Sequence, residues 1–238
     1  VKYLSTDTSG DRIKEGELFY NSTSGNLKTF VTTAAWHSGA NLITARSNGG
    51  GAGTTTAGLN IGGNIGPSDT QTTLGTTTAA LVCGGLPGVT ATEEYNGSSW
   101  AEQNNLNSGR ARGCNIGSQT AALFCGGQEP SISANSEEYN GTSWTEGNNL
   151  NTGRKELGGA GSQTSATVAG GSTGSISNVV EQYDGTSWTT IPATMGTTRT
   201  AIAPTNAGTS SSYMVSGGNS GSIVGNTEEF TTSALATT

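Results

Sequence analysis

The chain has 238 residues, of which 38 are glycine, 31% are hydrophobic and only 11% are charged. Ten basic against 17 acidic side chains give a formal charge of −7. That balance repels a phosphate backbone and offers no basic stripe, so nucleic acid is not an expected partner. No run approaches the roughly 18 consecutive apolar residues of a membrane helix, so the chain reads as soluble, without a membrane partner.

From the first residues, the segment EGELFYNSTSGNLKTF (15–30) predicts a β-hairpin: an acidic entry, an aromatic strand, a Thr/Ser-Gly turn and a second strand. Residues 1–35 are therefore read as a separate attachment segment, and residues 36–238 as the main domain.

From Trp36 onward a repeat takes over, and self-similarity at a fixed period dominates any other signal. The strings EEYNGSSW, EEYNGTSW and EQYDGTSW begin at 93, 137 and 181, a step of 44 residues both times. Trp100 precedes Arg110 by 10 residues and Gly127 by 27, and Trp144 precedes Arg154 and Gly171 by the same intervals. Trp36 keeps the rule with Arg46 and Gly63, while Trp188 keeps it loosely with Arg199 and Gly218. TEEF at 227–230 supplies another Tyr-type half-repeat ending in Phe230, after which Leu235 stands where a Trp is expected. The interval from Gly63 to Gly85 is only 22 residues, half a period, and reads as a truncated or fused repeat.

Each half-repeat has a physical reading. AALVCGG, AALFCGG, SATVAGG and SYMVSGG are short apolar runs ending in paired glycines, the pattern of a strand buried on both faces and followed by a turn. In EEYNGTSW the Asn-Gly step between Tyr139 and Trp144 is a two-residue hairpin signal, repeated between Tyr95 and Trp100 and, as Asp-Gly, between Tyr183 and Trp188. A unit of about 44 residues is the size of one four-stranded propeller blade. The fold expected is all-β: a propeller of about five blades, four to six being compatible, with one irregular repeat near 63–85. The chain enters mid-repeat before Trp36 and leaves at the complementary half, TEEF, as ring closure requires. A β-solenoid is the competing architecture.

Chemistry is sparse. The single histidine, His37, cannot build a Ser-His-Asp triad or a multi-histidine metal site, so neither catalysis nor a metal or cofactor is expected. Cys83, Cys114 and Cys125 lack CxxC spacing and read as buried thiols. The repeated Glu-Glu pairs could suggest glycosidase carboxylates. Their recurrence in every copy points instead to architecture, with one Glu of each pair facing the repeated Arg46, Arg110, Arg154 or Arg199. GGGAG (49–53) and GGAG (158–161) lack the Lys-Ser/Thr of a phosphate loop and read as turns.

The order Gly-Gly, Glu-Tyr, Trp, Arg resembles the kelch repeat, although the Tyr-to-Trp distance of 5 residues is shorter than usual. NNLNTGR (148–154), GAGSQTSATVAGG (159–171) and EEYNGTSW (137–144) are similar to repeats in phage-encoded proteins, particularly of phages infecting marine bacteria. The hairpin segment at 15–30 resembles modules of phage tail and fibre proteins. These resemblances imply a kelch-like β-propeller on a virion surface, as a tail fibre component or a capsid decoration. The partners implied are other virion proteins and a host-surface glycan or protein, with homo-oligomers compatible. A secreted lectin-like module is the alternative, and no catalytic residues come with the resemblance.

Ligand contacts are expected in the loops that vary between matching repeats, 86–92, 128–135 and 172–178. The residues singled out there are Leu86 and Val89 in the first, Gln128, Glu129 and Ser131 in the second, and Ser172 and Ser175 in the third.

Overall fold

The computed structural model describes residues 2–4, 18–21, 26–29, 50–54, 57–61, 72–76, 78–204 and 208–232. Every regular element among them is a strand. Trp36, His37 and Arg46 lie outside the described residues. The chain divides into two compact units, 1–39 and 40–238; the boundary expected at 35/36 falls four residues earlier.

In the first unit, β2 (Leu18–Asn21) and β3 (Asn26–Thr29) form an antiparallel hairpin within the expected segment, with Tyr20 opposite Leu27. β1 (Lys2–Leu4) pairs parallel to β2, Tyr3 opposite Tyr20, a pairing that no local sequence signal announces.

The second unit is a series of antiparallel sheets in chain order. A two-stranded sheet, β4 (Gly50–Thr54) and β5 (Ala57–Ile61), comes first. Three four-stranded meanders follow. They are β6 (Thr72–Thr76), β7 (Ala79–Cys83), β8 (Thr92–Tyr95) and β9 (Trp100–Gln103); β10 (Cys114–Ser118), β11 (Ala121–Cys125), β12 (Ser136–Tyr139) and β13 (Trp144–Glu146); and β14 (Gly158–Ser162), β15 (Ser165–Ala169), β16 (Val179–Tyr183) and β17 (Trp188–Thr194). A three-stranded sheet closes the series: β18 (Ala203–Pro204), β19 (Ser212–Ser216) and β20 (Thr227–Thr231). The short Gly63-to-Gly85 interval is thereby explained, because β4 and β5 have the first two strands of a sheet and β6 already begins the next.

The Gly-Gly runs form the second strand of each sheet, and in β7, β11 and β15 the last four residues are buried, as a strand covered on both faces demands. The hairpin expectation needs correction. Tyr95 pairs directly with Trp100, Tyr139 with Trp144 and Tyr183 with Trp188, so four residues form each loop instead of two. The Asn or Asp acts as a cap: Asn140 Oδ1 accepts the amides of Thr142 and Ser143 at 3.0 and 2.9 Å, and Asp184 Oδ1 accepts those of Thr186 and Ser187. Only the following glycine takes the left-handed conformation, Gly141 at φ +86°.

The core lies between consecutive sheets and repeats with them. Leu123, Cys125, Leu150, Val168, Tyr183 and Trp188 belong to one buried layer. Leu81, Cys83, Leu106, Phe124, Tyr139 and Trp144 belong to the layer before it. The first strands of successive sheets touch in order, β4 with β6, β6 with β10, β10 with β14 and β14 with β18. Between them β14 is kept thin: a Cβ on Gly159 would stand 2.9 Å from Ile116 Cδ1 and 3.0 Å from Cys114 Sγ. Four-stranded sheets meeting along their first strands are blade-type architecture.

Candidate functional site

Two sets of side chains stand out, and the first is architectural. Arg154, fully buried, enters just before β14 and meets the buried Glu181 of β16, Nη2 to Oε1 at 2.7 Å. Its Nη1 donates to the carbonyl oxygens of Val179 and Gly170 at 2.7 and 3.2 Å, while Glu181 Oε2 accepts the Asn151 amide at 2.7 Å. The arrangement recurs as Arg110 with Glu137 at 2.5 Å and as Arg199 with Glu228. Burial pulls the Arg154 guanidinium down from its ordinary range, opposed by the Glu181 carboxylate. Each carboxylate is thus used up in binding the segment that enters its own sheet, leaving no free acid for hydrolysis at these positions.

The second Glu of each pair faces the other way. Glu138 Oε1 accepts the Tyr183 hydroxyl at 2.5 Å from the next sheet, and burial together with that carboxylate pushes the phenol up. Trp indoles also join neighbouring sheets: Trp144 Nε1 donates to Thr92 Oγ1 at 2.9 Å and Trp188 Nε1 to Ser136 Oγ at 3.1 Å. The thiols are buried and free, and burial pushes that of Cys83 up to about 12, far from a reactive thiolate.

The second set is the end of the sheets where the second strand turns to the third. Here the candidate residues of the sequence are found, and loops 128–135 and 172–178 share one hydrogen-bond frame although their residues differ. Glu129 N donates to Ser131 O and Thr173 N to Ser175 O, both at 3.1 Å, and Ser220 N donates to Ser222 O at 3.0 Å in the last sheet. Gln128 bridges to Ile132, Ser172 to Ile176 and Asn219 to Ile223. The turns keep this bonding while their residues change, with Pro130 after a cis peptide where Gly174 and Gly221 hold positive φ, and with Ser131 and Ser175 exposed at the tips. Loop 86–92 is built differently, on Val89 N to Gly85 O at 2.8 Å, and leaves Leu86 and Val89 half-buried. It abuts the second loop, since a Cβ on Gly88 would lie 2.9 Å from Glu129 Cγ.

Beside these turns run the segments that enter each sheet, and they carry residues the sequence reading missed. Lys155 Nζ donates to Gln128 Oε1 at 2.7 Å, and the Lys155 backbone pairs with Ser172, which brings Gln128 and Ser172 to opposite sides of one lysine. Arg112 Nη1 reaches Glu156 Oε1 at 3.2 Å, and Thr200 Oγ1 donates to Glu156 Oε2 at 2.8 Å, linking three successive entries. Arg112, Glu156 and Ala201 all hold left-handed backbone, at φ 61°, 58° and 51°, a conformation costing a non-glycine residue about 1 kcal/mol or more. The 44-residue step from Arg112 to Glu156 was available as a signal, but the change of residue type hides it.

A further open groove lies at the outer edge between two sheets, lined by Glu138, Thr145, Glu146, Asn148, Tyr183 and Thr186. Among the described residues no group of three His, Cys, Asp or Glu is placed to hold a metal ion, and no helix is long and apolar enough to cross a membrane. No protein-family model and no curated protein matches this chain.

Proposed function

We propose that the chain is a non-enzymatic attachment protein of a phage particle: a kelch-like β-propeller of about five blades whose turn-bearing end binds a host-surface glycan or protein, with the N-terminal hairpin segment joining it to other virion proteins. The observation that carries this reading is the division of labour within the repeat. Buried Arg–Glu pairs and inter-sheet indoles recur from copy to copy, whereas partly exposed turn residues change within one hydrogen-bond frame, Gln128-Glu129 becoming Ser172-Thr173 and then Asn219-Ser220. A rigid scaffold with interchangeable polar tips suits recognition and leaves hydrogen-bonding groups facing solvent.

The test is binding of the fluorescently labelled full chain to intact host-type bacteria, compared with a variant carrying alanine at Gln128, Glu129, Ser131, Ser172 and Ser175. Lost binding with an unchanged melting temperature is the expected result. Equal binding by the variant, or no binding by the parent to any bacterium of the panel, overturns the assignment.

A further inference from the structure

The pairing of β10 with β11 sets Cys114 directly opposite Cys125. Side chains at directly opposed positions leave the same face of a sheet, with Cβ atoms about 4.5–5.5 Å apart. Both thiols belong to one buried layer, at 2% and 0% exposure. Cys125 Sγ lies 3.7 Å from Cys114 O, and a hydrogen bond with the Cys125 thiol, ahead of burial, lifts the Cys114 thiol well above its ordinary range. The two sulfurs therefore face each other across the ladder.

This juxtaposition belongs to one sheet only among those described. The equivalent opposed pairs are Gly50 with Ile61, Thr72 with Cys83, Gly158 with Ala169 and Ala203 with Ser216. The third thiol is held apart. Cys83 lies in the preceding layer, its Sγ 3.3 Å from Asn115 Nδ2. Asn115 follows Cys114 on β10 and so leaves the strand on the opposite face, which puts β10 itself between Cys83 and the pair.

A disulfide asks for a Cα separation of about 4.4–6.8 Å and a Cβ separation of about 3.5–4.5 Å. Directly opposed residues of an antiparallel pair meet the first requirement, and a small approach of the two strands meets the second.

We infer that Cys114 and Cys125 form a latent disulfide site, reduced in this structure, that closes when the chain folds in the presence of a small disulfide oxidant such as glutathione disulfide. Closure takes two exchanges. One cysteine thiolate attacks glutathione disulfide and expels a glutathione thiolate; the other cysteine thiolate then attacks the protein sulfur of the mixed disulfide and expels the second. Two cysteine thiols are oxidised to one disulfide, one glutathione disulfide is reduced to two thiols, and the two cysteine protons pass to the departing glutathione thiolates. Burial keeps the oxidant out of the packed sheets, so closure belongs to folding or to opening of β10 and β11, and the folded chain retains the state in which it formed. The link would staple the hairpin 115–124 and restrict the unfolded chain. The inference rests on strand register and not on the attachment role.

The test is refolding of the full chain from urea, brought to equilibrium in mixtures of reduced and oxidised glutathione, then acid quenching, alkylation of the remaining thiols and peptide mass mapping. The expected product is a monomer with native tryptophan fluorescence, linked between Cys114 and Cys125, with Cys83 alkylated. Cys83→Ala should keep the link; Cys125→Ala, alanine being the residue at the equivalent Ala169, should abolish it. At one glutathione ratio, the proportion of linked to free pairs should be at least about tenfold higher in the folded chain than in the chain held unfolded in urea. Equal proportions in the two states, links to Cys83 as frequent as the Cys114–Cys125 link, or a linked chain that fails to regain native fluorescence overturns the inference.

Discussion

Replacing Arg154 by alanine gives the sharpest test of the buried clamp. Arg154 is fully buried, and its removal strands the Glu181 carboxylate, also fully buried, with only the Asn151 amide for company. The carbonyl oxygens of Val179 and Gly170 each lose the Arg154 donor as well, Val179 O keeping the Gly170 amide. Breaking a buried pair by removing one partner costs about 3–5 kcal/mol. With a urea m-value of about 2 kcal/mol per M, the midpoint should fall by about 2 M. Arg199→Ala is the internal control, because Glu228 is 27% exposed and can rehydrate when its partner leaves, so its loss should be about 1–2 kcal/mol. Arg154→Met combined with Glu181→Met removes both charges and should recover part of the single-variant loss. Urea unfolding of the full chain, followed by tryptophan fluorescence, measures all three. A cost below about 1 kcal/mol for Arg154→Ala, or equal costs for Arg154→Ala and Arg199→Ala, refutes the claim that burial sets the strength of the clamp.

Two further outcomes follow from backbone geometry and from charge. Gly161→Ala should destabilise by about 2 kcal/mol or more, since its φ is +129° and the new Cβ would lie 2.2 Å from Ser165 O. Gly174→Ala, at φ +106° with open space around it, should cost only the backbone strain of about 1 kcal/mol; equal melting temperatures for the two variants contradict this. Burial alone would raise the Glu228 pKa, but the Gly196 amide, the Arg199 guanidinium and the Thr197 amide together hold it below its ordinary value of 4.5. A depressed carboxylate stabilises the fold above its unfolded pKa and loses that contribution as pH falls through its folded pKa. The stability gap between the parent and Glu228→Gln should therefore be constant at neutral pH and shrink as pH drops below 4.5; a gap unchanged in strong acid rules out this linkage.

Much of the second unit was legible in residue spacing because its interactions are local to the repeat. Trp144 and Trp188 occupy equivalent places because each must meet its own Tyr and a hydroxyl 52 residues earlier, so a fixed period and a fixed contact imply each other. The pairing of Arg154 with Glu181 was likewise foreshadowed by two residue types recurring at constant separation. What stayed hidden depends on backbone conformation. The Asn-Gly step encodes a four-residue capped loop as readily as a two-residue turn, and only the opposition of Tyr139 and Trp144 decides between them. The loops 128–135 and 172–178 look variable by residue name, yet Ser-Ile at 131–132 and 175–176 marks the turn they share. Of the candidate site, Gln128 and Ser172 were found by their variation, while Lys155 between them was not, because an entry segment carrying a structural arginine gives no separate sign of what its next residue touches.

The indole hydrogen bonds carry an evolutionary consequence. The joins between the four-stranded sheets are made by the same pair of surfaces, Trp144 on Thr92 and Trp188 on Ser136, and each described clamp is completed within the sheet it enters. Gain or loss of a whole 44-residue unit among the four-stranded sheets therefore creates no unfamiliar junction. A half-unit also fits provided the break falls after a second strand, as it does after β5. Chain length in such a lineage can drift in steps of two strands, each intermediate arriving with its core already packed.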